Sequence, residues 1–232
     1  MSSTPKKRRF QKARDTLTLT LHQRCFYLFC ALLALIVTVP FLEESTAGRV
    51  ALNGLSLLVL IAGAAAIGRG ATPLVMAGLL AFPAAALQIV ALFYDMPGVL
   101  VLSWAFSAAF YFLLASYLLT YVLRREVLTM DKLYGAAAAF LLLAVLWTYL
   151  YAILLVFHPG ALTMNAEPIS SAPFSTLMFF SVATLTSTGM SDVLPLHPIA
   201  RMLCSLQMIT GVLFITVLIA RPAGTYPPER SQ

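Results

Sequence analysis

Residues Pro173–Asp192 read PFSTLMFFSVATLTSTGMSD and are the most informative segment of this chain for its fold. Its first 13 residues, Pro173–Leu185, are mostly apolar, and as a helix they would extend about 20 Å. That length is too short to cross a hydrocarbon layer of about 30 Å, and the segment is too apolar to lie in water. Ser170 and Ser171, followed by a proline, predict that a helix starts here. The polar residues 187–189 predict that it breaks.

The loop that contains this stretch differs from the other loops of the chain. It runs for 44 residues, from His158 to Arg201, and returns to the outer surface through Asp192 and Pro195. One interpretation is a re-entrant loop, whose irregular backbone is tolerated at membrane depth because it lines a water-filled path. The other interpretation is an extracellular loop with a hydrophobic plug that packs against the helices. Spacing alone does not separate the two.

Six apolar runs make up most of the remaining chain, and each holds 18 or more residues without Asp, Glu, Lys or Arg. About 20 apolar residues in a helix cross the hydrocarbon layer, and a helix satisfies its own backbone hydrogen bonds there. The chain is 60% hydrophobic and 10% charged, whereas soluble chains average about 45–50% and about 25%. We therefore predict an all-α integral membrane protein with six transmembrane helices and a re-entrant helix between helices five and six. The runs are Cys25–Leu42, Val50–Ile67, Thr72–Phe93, Pro97–Leu123, Leu133–Phe157 and Met202–Ala220.

Basic residues are distributed unevenly between the two sides of the membrane that these helices imply. If the N-terminus is cytoplasmic, 13 of the 15 Lys and Arg residues lie inside, and only Arg49 and Arg201 lie outside. This bias predicts a multi-pass protein of the cell membrane, inner or plasma, with both termini cytoplasmic. The basic residues favour contact with anionic membrane lipids, and they indicate no nucleic-acid partner.

The segment after the fifth run carries a family resemblance. Phe180–Asp192, FSVATLTSTGMSD, resembles the pore helix and selectivity filter of the potassium channel superfamily, whose pattern is a Thr-rich helix end followed by Thr-Val-Gly-Tyr-Gly-Asp. Val193–Arg201 is similar to the turn that leads into the family's inner helix. Gly211 lies 19 residues after Asp192, where many members carry a gating hinge glycine. The resemblance covers residues 133–221 and implies a pore-loop cation channel made of four copies of the chain.

The resemblance also implies roles for the filter residues. In such a filter, stacked backbone carbonyls from four chains replace the water of a dehydrated cation. The Ser187 hydroxyl would stand in for the family's threonine hydroxyl at the inner end, and Asp192 would lie at the outer mouth. The permeant ions would be potassium or other monovalent cations, with no cofactor. The implied ion-binding residues are Ser187, Thr188, Gly189, Met190 and Ser191.

The filter departs from the family pattern at two conspicuous positions. Met190 replaces the tyrosine, and Ser191 replaces the second glycine, which reaches conformations that cost a residue with a Cβ about 1 kcal/mol or more. We therefore predict cation conduction with weakened potassium selectivity. The run Pro97–Leu123 carries no charge, so we expect no steep voltage gating. The 11 residues after Arg221 predict no appended gating domain.

The helices divide at a charged link before the fifth run. Glu43 and Glu44 follow the first run where a cleaved signal peptide would have small residues, so we expect that run to be a retained helix. The predicted organisation is a basic cytoplasmic tail at 1–24, a four-helix region at 25–123, a cytoplasmic linker at 124–132, a pore domain at 133–221 and a short cytoplasmic tail at 222–232.

Other polar residues form no recognisable catalytic or metal site. The sequence shows no paired carboxylates, no nucleophile beside a base and no metal-ligand spacing among its three cysteines, so we predict that the protein is not an enzyme. His158 and His197 are expected at the outer interface, where they could confer pH sensitivity. Asn53 and Gln88 are expected to make interhelical hydrogen bonds.

Two alternatives to a conducting channel remain. One is a non-conducting scaffold or modulatory subunit with a channel-like fold, which the substitutions Met190 and Ser191 would support. The other is a small transporter or membrane enzyme whose loop resembles a filter by accident.

Overall fold

A computed structural model describes residues 24–43, 45–66, 71–93, 97–123 and 129–223. The N-terminal tail up to residue 23, the link 124–128 and residues 224–232 lie outside the described residues. Within the described ranges, the chain forms seven helices and three short strands. They are α1 (Arg24–Leu42), α2 (Thr46–Ala66), α3 (Ala71–Phe93), α4 (Pro97–Leu123), α5 (Met130–Phe157), β1 (Leu162–Met164), β2 (Glu167–Ile169), α6 (Phe174–Leu185), β3 (Val193–Pro195) and α7 (Pro198–Ala223).

Four of the described helices have the length and composition needed to cross a membrane. They lie in α1, α4, α5 and α7, and each contains at least 18 residues of high mean hydropathy with few charges. The apolar segments Val50–Gly63 of α2 and Val75–Ala91 of α3 are shorter. The protein is thus a mostly helical, multi-pass membrane protein, and the count of six spans stays a prediction.

Helix α5 begins at Met130, three residues before the apolar run Leu133–Phe157, and the linker predicted at 124–132 lies largely outside the described residues. Thr129 is the N-cap, and Asp131 lies in the first turn, where a carboxylate interacts favourably with the helix dipole. The Asp131 carboxylate accepts hydrogen bonds from the Cys25 backbone N–H and from the Tyr121 hydroxyl, each at 3.2 Å. Asp131 and Lys132, which precede the apolar run, therefore belong to the helix, and Asp131 connects α5 to α1 and α4.

The structure also contains a small sheet, which the all-α prediction did not include. Its three antiparallel strands lie in the order β2-β1-β3. Leu162 in β1 is opposite Ile169 in β2 and opposite Pro195 in β3. Strands of three residues are too short to show the alternation of apolar and polar side chains by which a sequence predicts a strand. The sheet joins the segment after α5 to the residues that follow the predicted filter.

Two buried hydrophobic clusters organise the helices. The first contains Leu28 of α1, Leu114 of α4 and Leu142 of α5. The second contains Tyr151 of α5, Phe180 of α6 and side chains of α7 and the sheet. Helix α5 contributes to both clusters, and Met178 of α6 and Phe214 of α7 also lie in the first cluster, so the first four helices pack directly against the C-terminal part of the chain.

Candidate functional site

The N-terminal end of α6 is capped by a residue from a distant part of the chain. The helix begins at Phe174, and its N-cap Pro173 supplies no side-chain hydrogen bond. The backbone N–H groups of Phe174 and Ser175 both donate to the carboxylate of Glu43, which follows α1 (3.0 Å for Ser175). A carboxylate is favourable there because the N-terminus of a helix carries partial positive charge. The helix start predicted after Ser170 and Ser171 is confirmed, but the group that caps it is the Glu43 carboxylate and not a serine hydroxyl.

The middle of α6 is held by buried hydrogen bonds to both neighbouring helices. The Ser181 hydroxyl donates to the carbonyl of Ala144 in α5 at 2.7 Å. The Gln207 amide nitrogen of α7 donates to the Ser181 carbonyl and lies 2.9 Å from the Ser181 hydroxyl oxygen. The Tyr151 hydroxyl of α5 donates to the Gln207 amide oxygen at 2.6 Å. Ser181, Gln207 and Tyr151 are all fully buried.

The C-terminal end of α6 lies directly against α7. A Cβ built at Gly211 would lie 1.8 Å from the Leu185 carbonyl oxygen, so only glycine fits at this point without displacing a helix. Gly211, proposed from the sequence as a gating hinge, is thus a close contact between α7 and the last turn of α6. The hinge role itself stays a prediction.

The predicted filter follows as a short irregular segment. Thr186 is the C-cap of α6, and the backbone N–H groups of Thr188 and Gly189 both donate to the Ala183 carbonyl, at 3.0 and 3.2 Å. Ser187 and Gly189 have φ of 57° and 66°, and no other residue of 186–192 has positive φ. The side chains of 186–190 are exposed at the surface of this single chain.

The backbone strain lies at a different residue from the one the sequence indicated. Ser191, in place of the family's second glycine, does not have a positive φ, whereas Ser187 does. A left-handed conformation costs a residue with a Cβ about 1–2 kcal/mol. The Gly189 carbonyl, one of the implied ion ligands, accepts a hydrogen bond from the Ser191 N–H at 3.0 Å. A carbonyl has a second lone pair, so this bond leaves one acceptor position.

The residues after the filter are fixed by the sheet and the start of α7. Asp192 is exposed, and the next residue, Val193, begins β3 and is 1% exposed. The rings of His158 and His197 stack, with centroids 5.1 Å apart and planes 15° apart. The His197 Nδ1 accepts the Ile199 N–H at 3.2 Å and so helps to cap α7. The structure therefore brings together the two outer histidines, which the sequence placed at the same interface.

Of the remaining sequence predictions, one on polar residues is confirmed. The Gln88 amide nitrogen of α3 donates to the Ser107 hydroxyl of α4 at 3.2 Å, an interhelical hydrogen bond between buried groups. The side chain of Asn53 lies outside the described residues. Among the described residues, no three His, Cys, Asp or Glu side chains lie close enough to hold a metal ion.

Sequence reasoning missed four residues that hold α6: Glu43, Tyr151, Ser181 and Gln207. Gln207 is a polar residue inside an uncharged apolar run, which is the same signal that singled out Gln88. Glu43 carried no signal beyond its position after the first run, because its partners lie 131 and 132 residues further along the chain.

Comparison with known proteins identified a family match in the C-terminal part of the chain. A family model described as "Ion channel" matches residues 137–224, and neither a curated protein nor a solved structure matches the chain. The matched range starts in α5 and includes the sheet, α6, the predicted filter and α7. It therefore contains every contact of α6 and the predicted filter described above except the one made by Glu43. This match and this arrangement support a relationship of residues 137–224 to the ion-channel pore superfamily.

Proposed function

We propose that the chain is one subunit of a homotetrameric channel that conducts potassium, or another monovalent cation, through residues 187–191. The observation that carries the proposal is the position of these residues. They follow the C-terminal end of a short apolar helix that is held between two long membrane helices. In the proposed assembly, six helices of each subunit span the cell membrane, both termini are cytoplasmic, and α6 enters the membrane without crossing it.

The orientation of α6 supports cation conduction. The C-terminus of a helix carries a partial negative charge, which favours a cation nearby. At the opposite end, the Glu43 carboxylate accepts hydrogen bonds from two backbone N–H groups, so that end is already compensated within the chain. The end of α6 that carries partial negative charge thus precedes the filter, where a cation would be bound.

The surface of α7 supports assembly from several copies. One face of this helix is apolar and exposed in the single chain, and a membrane or further copies of the chain would cover it. One chain supplies only one quarter of each carbonyl ring of such a filter, so a complete ring requires four copies. The exposed residues on this face are Met202, Leu206, Ile209, Leu213 and Val217.

Ion preference depends on the outer half of the filter. Met190 is 72% exposed and has no aromatic hydroxyl with which to tie the filter to a neighbouring helix. We propose weakened potassium selectivity for this reason. The absence of arginine in α4 supports a channel without steep voltage gating.

The experiment that tests the proposal is cation flux through the purified protein in liposomes, with potassium compared against sodium. Gly189→Ala places a Cβ at φ 66° with nothing within 4 Å of it, so it strains the filter without disturbing the packing around it. We expect this variant to lose flux. Gly78→Ala is the matched control, because Gly78 in α3 also has open space around it but an ordinary helical conformation. Equal flux in the wild type and Gly189→Ala would contradict a pore through this segment.

A second candidate function is a non-conducting modulatory subunit or scaffold. The hydrogen bond from the Ser191 N–H to the Gly189 carbonyl favours it, because that bond engages an oxygen that an ion would otherwise bind. A well-folded tetramer without flux, under membrane tension and pH change as well, would support this second function against the first.

A further inference from the structure

Gln207 is a buried amide at membrane depth with both of its ends engaged. The Ser181 carbonyl can only accept a hydrogen bond, so the Gln207 nitrogen must face it and the oxygen must face the Tyr151 hydroxyl. The Cys204 sulfur lies 3.4 Å from the same hydroxyl, but the Gln207 oxygen is closer, at 2.6 Å. The hydrogen bonds therefore determine the orientation of the amide.

The partner of Gln207 lies in the helix that leads into the filter. The Ser181 carbonyl belongs to the backbone of α6, and the Ser181 hydroxyl continues the network to the Ala144 carbonyl of α5. One glutamine of α7 thus connects the backbone of α6 to two points on α5. A sideways movement or a rotation of α6 would break at least one of these bonds.

A second contact lies one helical turn further along both helices. Gly211 is four residues after Gln207, and Leu185 is four residues after Ser181, so the two contacts lie on the same faces of α6 and α7. The first contact is the hydrogen bond from Gln207 to the Ser181 carbonyl, and the second is the close approach of Gly211 to the Leu185 carbonyl. Leu185 is the last residue of α6, and the filter begins two residues later. The position of the inner end of the filter therefore depends on α7.

We propose that Gln207 is a positioning residue of the filter, which fixes the depth and rotation of α6 so that the carbonyls after Thr186 keep their places. The proposal rests on the proposed function of residues 187–191 as the conducting segment. It assigns to Gln207 a role in ion preference, although its own side chain is fully buried and bonded to Ser181 and Tyr151.

If Gln207 only stabilised the fold, its substitution would lower stability without changing ion preference. A second buried glutamine, Gln88, provides a matched control. Gln88→Met makes the same chemical change as Gln207→Met, at a second buried glutamine whose hydrogen bond joins α3 to α4 and does not touch α6. We expect both variants to lower the thermal stability of the purified protein. Only Gln207→Met should change the potassium-to-sodium flux ratio, by about three- to twentyfold, the factor in equilibrium carried by one hydrogen bond at membrane depth.

A second variant keeps the test valid if Gln207→Met fails to fold. Tyr151→Phe removes one hydrogen bond and leaves both contacts between Gln207 and Ser181, so it should change the flux ratio in the same direction by a smaller factor. If Tyr151 acts through Gln207, the double variant should resemble Gln207→Met alone, because the two residues belong to one network.

Hydrogen exchange at the amides of 186–191 separates this proposal from the proposed function. In detergent, exchange there should be faster in Gln207→Met than in the wild type, and it should be unchanged in Gln88→Met. If the wild-type protein conducts no cations, the proposed function fails and exchange alone decides the positioning role. The role is overturned if Gln207→Met folds with unchanged exchange, or if Gln88→Met alters exchange and flux ratio to the same extent.

Discussion

Single residues in this protein carry constraints that their chemical type does not reveal. Ser187 has a left-handed backbone conformation, and the compact hydrogen bonding of the next two amides to one carbonyl, that of Ala183, holds the segment in place. Strain of this kind persists only where the surroundings determine the backbone conformation, and it is concentrated at functional sites. The segment 186–191 is therefore one place where local propensity and native structure disagree, and the turn at Asn165 and Ala166 between β1 and β2 is another.

Gly211 provides the clearest test at the residue scale. Gly211→Ala would bring a Cβ to 1.8 Å from the Leu185 carbonyl oxygen, so α7 and α6 would have to move apart. Since overpacking of this kind costs about 1–3 kcal/mol, we expect a marked loss of thermal stability, measured by a melting curve in detergent. If Gly211 were only a hinge with free space around it, alanine would be tolerated and would even favour the helix by about 0.5–1 kcal/mol.

The control for that measurement is Gly78→Ala in α3, where nothing lies within 4 Å of the added Cβ. It should leave the melting temperature unchanged or raise it. A Gly211→Ala variant as stable as Gly78→Ala would show that α7 does not lie against α6 as described.

At the scale of secondary-structure elements, α6 is held at three levels. Glu43 binds its first two amides, Gln207 binds its middle, and Gly211 lies against its last carbonyl. Only the last two contacts come from the matched pore region. The first comes from the end of α1 and joins the four N-terminal helices to the pore.

Glu43→Gln tests that link. The amide side chain keeps one acceptor oxygen but loses the negative charge that interacts with the helix N-terminus, so we expect a loss of about 0.5–2 kcal/mol in the stability of the folded protein. Hydrogen exchange at the amides of 174–176 should rise in this variant. Glu167→Gln is the control, because Glu167 is an exposed acid in β2. A rise of similar size in the control would mean that outer charge in general, and not the cap, is responsible.

At the scale of the whole molecule, the open question is whether lipid or other subunits cover the exposed apolar face of α7. Leu206→Gln places an amide on this face, and Leu79→Gln places one on the exposed face of α3. If the α7 face is covered by other subunits, Leu206→Gln should lower the fraction of tetramer in native mass spectrometry while Leu79→Gln leaves it unchanged. The reverse pattern, or a wild-type protein that is monomeric in mild detergent, would contradict the homotetramer.

The organisation of this chain was predictable to a useful extent from local properties. Length and the absence of charge located the long helices, the short apolar segment predicted α6, and the motif after it pointed to the family that the comparison then matched over 137–224. The errors lay at boundaries and in small elements. The N-terminus of α5 took charged residues into its first turn, and three-residue strands left no periodic signal.

Local sequence properties were thus enough to predict the long helices and the order of helix, short helix, irregular segment and helix, because apolar length and turn residues act over a few neighbouring positions. Tertiary structure alone decided that Glu43 caps a helix more than 130 residues away, that Gln207 meets Ser181, and that Gly211 leaves room for a carbonyl. These contacts join residues distant in the chain, and they depend on the depth and rotation at which whole helices pack. A one-dimensional pattern does not contain those quantities, so the residues that hold α6 in place became visible only in the packed helices.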